Sequence, residues 1–361
     1  MAVGDIMLGD SAKCIGIGLR SATQSGDASA IFAHVKGYLT SDIVFGNLEC
    51  VLSDHDYNGL DFKKAQMRGI PSSINAVKDA GFTVLNVANN HTLQYGATGF
   101  MNTCRVLEEA GIGIVGVRGD AEYLCRPFLQ EIRGKKFGIL GYAMEKDQYY
   151  SGRTLYAQGS DDDIAGDVSR LRRICDYVVV SMHWGDEFVA APSETTINLA
   201  RKLTDAGAHT IIGHHPHVVQ GLEEYESNVI IYSLGNFISD MAWDNTLTNG
   251  IAAEIIFKNG TSRIGNIYRS CITKDYSVHI SGSVNLAEFQ QKLQLERNNS
   301  GSYSDEVNRV RVLLRNKSHW YVFRNAYKYN PLIFLQIIFN SLKSLLYGLV
   351  RKFSLTKPVE E

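Results

Sequence analysis

Three histidines, His214, His215 and His217, close the string Ile211-Ile212-Gly213-His214-His215-Pro216-His217. An apolar run followed by glycine is the pattern of a buried strand that ends in a tight turn. A strand end holds side chains rigidly at the lip of a sheet, where ligands bind. Neutral imidazole is the commonest side-chain metal ligand, so this cluster reads as half of a metal site. Four upstream strand ends offer the other half: Asp5, Asn47 with Glu49, Asn90 with His91, and His183. Carboxylate, amide and imidazole together suit Mn, Zn or Fe better than a thiolate site would. One or two such ions per chain polarise a phosphoryl or carbonyl oxygen and activate water near neutral pH.

The elements that position these residues follow from periodicity. Apolar runs lead into Gly46-Asn47-Leu48-Glu49, Ala88-Asn89-Asn90-His91, His183-Trp184-Gly185 and Leu234-Gly235-Asn236-Phe237. Amphipathic segments lie between several of them, each ending before a glycine (Gly81, Gly111, Gly207), which is a helix C-cap signal. Strand, helix, strand in this rhythm predicts α/β layering. Arg133-Gly134-Lys135 and Asn259-Gly260 each sit between two strand-like runs. Those hairpins make the sheets mixed.

Bulk composition narrows the function. Asp and Glu number 38 against 36 Lys and Arg, which leaves no nucleic-acid footprint. Six scattered cysteines, with no CxxC pair, read as buried thiols of a reducing compartment. No basic segment and apolar stretch precede the first strand, so no signal peptide is visible. The expected location is cytoplasmic or peripheral to a membrane.

Beyond about Ser283 the pattern changes to charged, helical segments, over 286–296 and 305–315. The predicted division is a domain over 1–282 and a helical extension over 283–361. Within the extension, about 331–353 carries a broad apolar stripe beside Gln336, Asn340, Lys343 and Ser344. A polar stripe with a lysine in its middle fits an amphipathic helix better than a membrane span. Such a helix lies on a membrane surface, docks on a partner, or packs on its own domain.

The motifs together resemble the CapA family of capsule and poly-γ-glutamate synthesis proteins. The matching strings are Val3 to Gly9, Gly46 to Glu49, Ala88 to His91 with Tyr95-Gly96, Ser181 to Gly185, Ile212 to Val218 and Tyr232 to Phe237, in family order. The resemblance covers roughly residues 1–240 and implies a calcineurin-like metallophosphoesterase fold, a four-layer α/β/β/α sandwich with mixed sheets. It implies metal ligands at Asp5, Asn90, His183, His215 and His217, with His214 able to replace either of the last two. It implies that His91 stabilises or protonates a leaving group. The chain departs from general phosphoesterases of this fold at Met7, Asn47 and Thr92, which stand where His, Asp and an acidic residue are usual. Glu49 is placed to replace the carboxylate lost at Asn47. Fewer anionic ligands weaken at least one metal position. Trp184 either packs beside the site or stacks on substrate. Asp186 and Glu187 either orient His183 or belong to a solvated loop.

The resemblance implies a metal-dependent hydrolase of phosphoester or amide bonds, acting on an anionic polymer or phosphoester. The alternative is a non-catalytic, membrane-associated component of a capsule-polymer synthesis or export complex, reached through the C-terminal helix.

Overall fold

The computed structural model of the chain describes residues 1–24, 28–145, 148–287, 289 and 302–354. Two sheets form its centre. In the first, of eight strands, Ala2–Ile6, Phe45–Leu48, Val84–Asn86 and Gly113–Val115 run parallel. Asn236–Ile238 joins Ala2–Ile6 in parallel, and Asn249–Lys258, Thr261–Ile272 and Val278–Ser283 extend the sheet antiparallel. In the second, of six strands, Lys135–Ala143, Tyr177–His183, Thr210–His214 and Asn228–Ile231 run parallel, with antiparallel strands Phe128–Ile132 and Leu222–Tyr225 at its edges.

Strand alternation explains how the layers stack. Successive side chains of a strand point to opposite faces. In Val178-Val179-Val180 the outer two join Ile164, Leu171, Ile197 and Leu203 of helices Asp161–Arg172 and Glu194–Asp205. Val179 turns the other way and meets Val84, Phe45 and Ile231 in a core between the two sheets. On the far side of the first sheet, Val3 and Leu85 pack with Val77, Phe100 and Leu107 of helices Ile74–Asp79 and Gly96–Glu109. Each fully buried aliphatic side chain contributes about 1.5–3 kcal/mol, so the three cores dominate the stability. The order is helix, sheet, sheet, helix: the four-layer α/β/β/α sandwich with mixed sheets.

Local signals hold. Both hairpins form, and Gly81, Gly111 and Gly207 all take positive φ at helix ends. Two strands differ from expectation. The apolar run ending at Phe45 was expected to stop before the Gly46 motif, yet the strand spans Phe45–Leu48. The strand-like run from Phe82 to Val87 forms a shorter strand, Val84–Asn86. Parallel pairing aligns these strands, with Asp5, Asn47 and Asn86 in register and bonded through their side chains.

Past the last strand, helices Tyr303–Arg324 and Pro331–Ser354 follow. The first contains the helix expected over 305–315. Most of the helix expected over 286–296 lies outside the described residues. Ile333 and Ile337 are buried against Ile15, Ala65, Val322 and Tyr329, so one face of the last helix packs on its own chain. No helix among the described residues is long and apolar enough to cross a membrane.

Candidate metal centre

The site forms where the two sheets meet, and both contribute to it. The reading of one sheet rim is corrected here: Asp5, Asn47, Glu49, Asn90 and His91 come from the first sheet, and His183, His214, His215 and His217 from the second. In the first sheet, Asn236, Asp5, Asn47 and Asn86 form one row across four neighbouring parallel strands. In the second, His183 and His214 are paired across their strands. All six of these residues are buried.

Close approach makes this junction possible. A Cβ on Gly213 would stand 1.9 Å from the Tyr232 carbonyl oxygen, so only glycine fits before the histidine cluster. In the turn that follows, His215 and His217 take φ of 94° and 59°. Left-handed backbone at non-glycine residues costs about 1–3 kcal/mol each and concentrates at functional sites. The amide N–H of His215 donates to Asp5 Oδ2 at 3.3 Å, which ties the turn to the opposite sheet.

Around Glu49 two triads assemble: Glu49 with His215 and His217, and Glu49 with Asp5 and His183. The ligand atoms of each lie within 4.8 Å of one another, and every member is buried. Glu49 Oε1 is 3.6 Å from His217 Nε2 and 3.7 Å from His183 Nε2. Asp5 faces His214 Nδ1 at 3.2 Å and His217 Nδ1 at 3.3 Å. His183 Nε2 lies 3.0 Å from Asn90 Oδ1.

Hydrogen bonding separates the residues that are held from those that are left open. Asn47 Nδ2 donates to Asp5 Oδ1 at 2.8 Å, while Asn47 Oδ1 accepts from Asn86. Asn89 donates to the Leu48 carbonyl. Asn236 Oδ1 lies 3.0 Å from His217 Nδ1. By contrast, both Glu49 oxygens, both His214 ring nitrogens and His215 Nδ1 are buried without a hydrogen-bond partner. A buried polar atom without a partner costs about 1–3 kcal/mol, more if charged. Orphaned Glu49 oxygens, set among ligand atoms that lie within 4.8 Å of one another, fit a divalent cation.

Electrostatics agree with that fit. Burial pushes His183 well below its usual range and His215 down to about 3, helped by neighbouring histidines. Both are neutral and present lone pairs. Burial, with repulsion from Asp5 and Glu187, drives the Glu49 carboxyl well up. Burial works against the Asp5 charge, but His214 and His217 hold it well below the carboxylate range. His217 is pushed up to about 10: burial opposes its charge, and Glu49 and Asp5 outweigh burial. Burial thus favours a proton on Glu49, while Asp5 keeps its charge.

His91 stands at the edge, half-buried. Its Nδ1 is 2.8 Å from Gln94 Oε1, and burial lowers its pKa to about 4. Gln94 accepts the Nδ1 proton, which leaves Nε2 as the reactive nitrogen. Three other residues, each with two readings from sequence, take up definite places. Trp184 is buried in the core beneath the second sheet, donating to the Tyr232 carbonyl, so it cannot stack on a substrate. Asp186 does not orient His183. It accepts from Tyr303 at 3.2 Å and from Arg311 at 2.8 Å, both on helix Tyr303–Arg324. Glu187 reaches the site only as a nearby charge on Glu49 and His217. Asn86, Asn89 and Gln94 had no assigned role in the sequence reading. Three asparagines in the five residues from Asn86 to Asn90 were the available signal. Met7 packs with Met67, Val218, Met241 and Leu247, so the position usual for a ligand histidine is apolar here.

A buried carboxylate–imidazole cluster at the junction of two sheets in an α/β/β/α sandwich is the arrangement of the metallophosphoesterase-like fold class. Residues 1–241 match the family model described as bacterial capsule synthesis protein PGA_cap, and the chain belongs to that family. It is 35% identical over 274 residues to the capsule biosynthesis protein CapA of Bacillus anthracis, covering 72% of this chain and 64% of that one. It is 34% identical over 269 residues to the PGA biosynthesis protein CapA of Bacillus subtilis, covering 72% and 68%. The chain thus spans about two thirds of the length of these relatives. Among solved structures, the NAD nucleotidase of Haemophilus influenzae aligns with a TM-score of 0.45 and 10% identity over 80% of this chain and 61% of that one. The 5'-nucleotidase of Candida albicans aligns with a TM-score of 0.39 and 11% identity over 88% and 57%.

Proposed function

We propose that the chain is a metal-dependent hydrolase of phosphoester or amide bonds, serving the synthesis or trimming of an anionic capsule polymer of the poly-γ-glutamate type. The observation that carries this reading is the pair of buried triads sharing Glu49, whose two oxygens have no partner. Asp5, Glu49, His183, His215 and His217 hold the ion, with Asn90 at the His183 side and His214 beside Asp5. A divalent ion bound there polarises a phosphoryl or carbonyl oxygen and lowers the pKa of water. Asn47 and Asn236 orient Asp5 and His217 through hydrogen bonds, the kind of support that tunes ligand basicity. His91, fixed by Gln94, passes a proton to or from the leaving group at Nε2. The capsule and polymer role rests on the family and on the names of the two CapA relatives.

The test is direct. Purified chain is assayed for bound Mn, Zn and Fe, and for hydrolysis of a generic phosphodiester and of poly-γ-glutamate. Stoichiometric metal with turnover that His183→Ala and His215→Ala abolish supports the reading. Metal content near zero, with no change of melting temperature on adding metal, sinks it. A second reading, a non-catalytic component of a polymer synthesis complex, is favoured by Asn47. Its amide donates to Asp5 at a position where phosphoesterases of this fold carry a bridging aspartate. Metal binding without turnover, and capsule formation that survives His183→Ala, favours that reading.

A further inference from the structure

We infer that the two C-terminal helices form a peripheral docking surface for an anionic lipid bilayer. The last helix has two opposed apolar faces. Ile333 and Ile337 are buried on the body, while Leu332, Leu335, Phe339 and Leu342 are 54–67% exposed. At 100° per residue, these four fall on one stripe roughly opposite the buried pair. The preceding helix adds exposed Trp320, at 76%, and Phe323, at 56%, with Phe323 edge-on to Phe334 of the last helix at 6.3 Å between ring centroids, and Tyr327 follows at 82%. Self-packing therefore accounts for one face only. Single exposed apolar residues need no explanation, but a contiguous patch of this kind marks an interaction surface.

Charge identifies the occupant. No aspartate or glutamate occurs between Glu306 and Glu360, where ten lysines and arginines do, of which Arg309, Arg311 and Lys317 are held in ion pairs, although the whole chain carries a net charge of −2. Arg324 and Lys328 flank the exposed aromatics, and Lys343 follows Leu342. A leucine and phenylalanine face bordered by Trp, Tyr and basic residues is the pattern of a helix lying in a bilayer interface. Each Lys or Arg near an anionic surface adds about 1 kcal/mol. A second copy of this chain would set these cations against each other, which disfavours self-association.

The surface is fastened to the metal centre. Tyr303 and Arg311 bind Asp186, three residues past His183, and Lys317 binds Asp244. At about 1.5 Å rise per residue, Trp320 lies roughly 14 Å from Arg311 along the helix axis. Docking therefore fixes the site near the bilayer, within reach of a polymer chain or headgroup at the membrane surface.

Flotation of the full chain with vesicles tests this without any turnover, so its outcome is independent of the hydrolase reading. Vesicles of phosphatidylcholine alone are compared with vesicles containing a third phosphatidylglycerol. Wild type should float with the anionic vesicles, less as NaCl rises, and the Leu335→Glu/Phe339→Glu variant should bind at least tenfold more weakly with an unchanged melting curve. Equal flotation of wild type and variant, or no flotation of wild type, overturns the proposal. So does a lipid-free wild-type dimer that the variant converts to monomer, since the face would then belong to a second copy.

Discussion

Glu49 Oε1 stands 3.6 Å from His217 Nε2, and neither Glu49 oxygen accepts a hydrogen bond. Glu49 follows strand Phe45–Leu48 of one sheet, and the turn that carries His217 follows strand Thr210–His214 of the other. A carboxylate buried in this way is destabilising unless a cation shares the site. Its replacement separates metal binding from folding. Glu49→Gln should lower Mn or Zn affinity at least about tenfold, or 1.4 kcal/mol, by isothermal titration. In EDTA the same variant should melt no lower than wild type, because the amide replaces a buried carboxyl that no hydrogen bond satisfies. Wild-type affinity in the variant would exclude Glu49 as a ligand.

His91 is held by Gln94 and is neutral at pH 7, with burial lowering it to about 4. An anionic substrate beside it raises its affinity for a proton, which suits exchange with a leaving group. His91→Ala should cost about 10²–10⁴ in kcat, the usual range for a general acid or base, with metal content unchanged. Gln94→Ala should lower kcat less, and should shift the pH profile because the Nδ1 acceptor is gone. A kcat for His91→Ala within a factor of three of wild type excludes the role.

Some of this was legible in the chain before any coordinates. The histidines stood out because Gly213 punctuates an apolar run, and the α/β rhythm followed from strand runs alternating with glycine-capped helices. The pairing of two sheets over one site was not legible in local pattern. Asn236 and Asn86 join Asp5 and Asn47 through register across four strands, a relation that reaches from residue 5 to residue 236. Asp186 misled for the same reason. Nearness to His183 in sequence suggested a supporting carboxylate, while the tertiary fold turned it toward Arg311.

Asp240 offers a pH probe away from the metal centre. It is buried, accepts from the Ser11 amide at 2.9 Å, and leaves Oδ1 without a partner. Burial, then the charge of Asp10, pushes its carboxyl up to about 7. An unfolded aspartate titrates near about 3.9. Between those values the folded chain keeps a proton that the unfolded chain has lost, so stability from this group is full below about pH 4 and is lost as pH rises through 7. Asp240→Asn keeps the fold neutral throughout. Its unfolding free energy relative to wild type should climb by up to about 4 kcal/mol from pH 4 to 7 and then level off. Denaturant melts across that range read it directly, and a pH-independent difference would refute the assignment.

Gly213 tests the junction itself. Alanine there places Cβ 1.9 Å from the Tyr232 carbonyl and 2.7 Å from Trp184 Nε1, with backbone and a buried ring that cannot yield. Gly213→Ala should cost about 3 kcal/mol or more, at the upper end for overpacking, and should displace His214 and His215. Thermal melts should show the loss, and metal titration should show weakened binding in whatever fraction remains folded.

Asn47 provides a test of how many ions the centre can hold. Its amide donates to Asp5 Oδ1 at 2.8 Å and lies 3.3 Å from His183 Nδ1, so it acts as a neutral clamp between two ligands. Asn47→Asp is nearly isosteric and places a second carboxylate against Asp5. Without metal, that like-charge pair in a buried setting should lower the melting temperature, because the hydrogen bond is replaced by repulsion. With metal, the added anionic donor should tighten binding and raise the stoichiometry toward two. Stabilisation by a ligand grows with the logarithm of its concentration over Kd, so the rise in melting temperature on adding Mn should exceed that of wild type even as the EDTA baseline falls. A variant whose baseline falls with no larger response to Mn would show that the neutral amide does not limit metal occupancy.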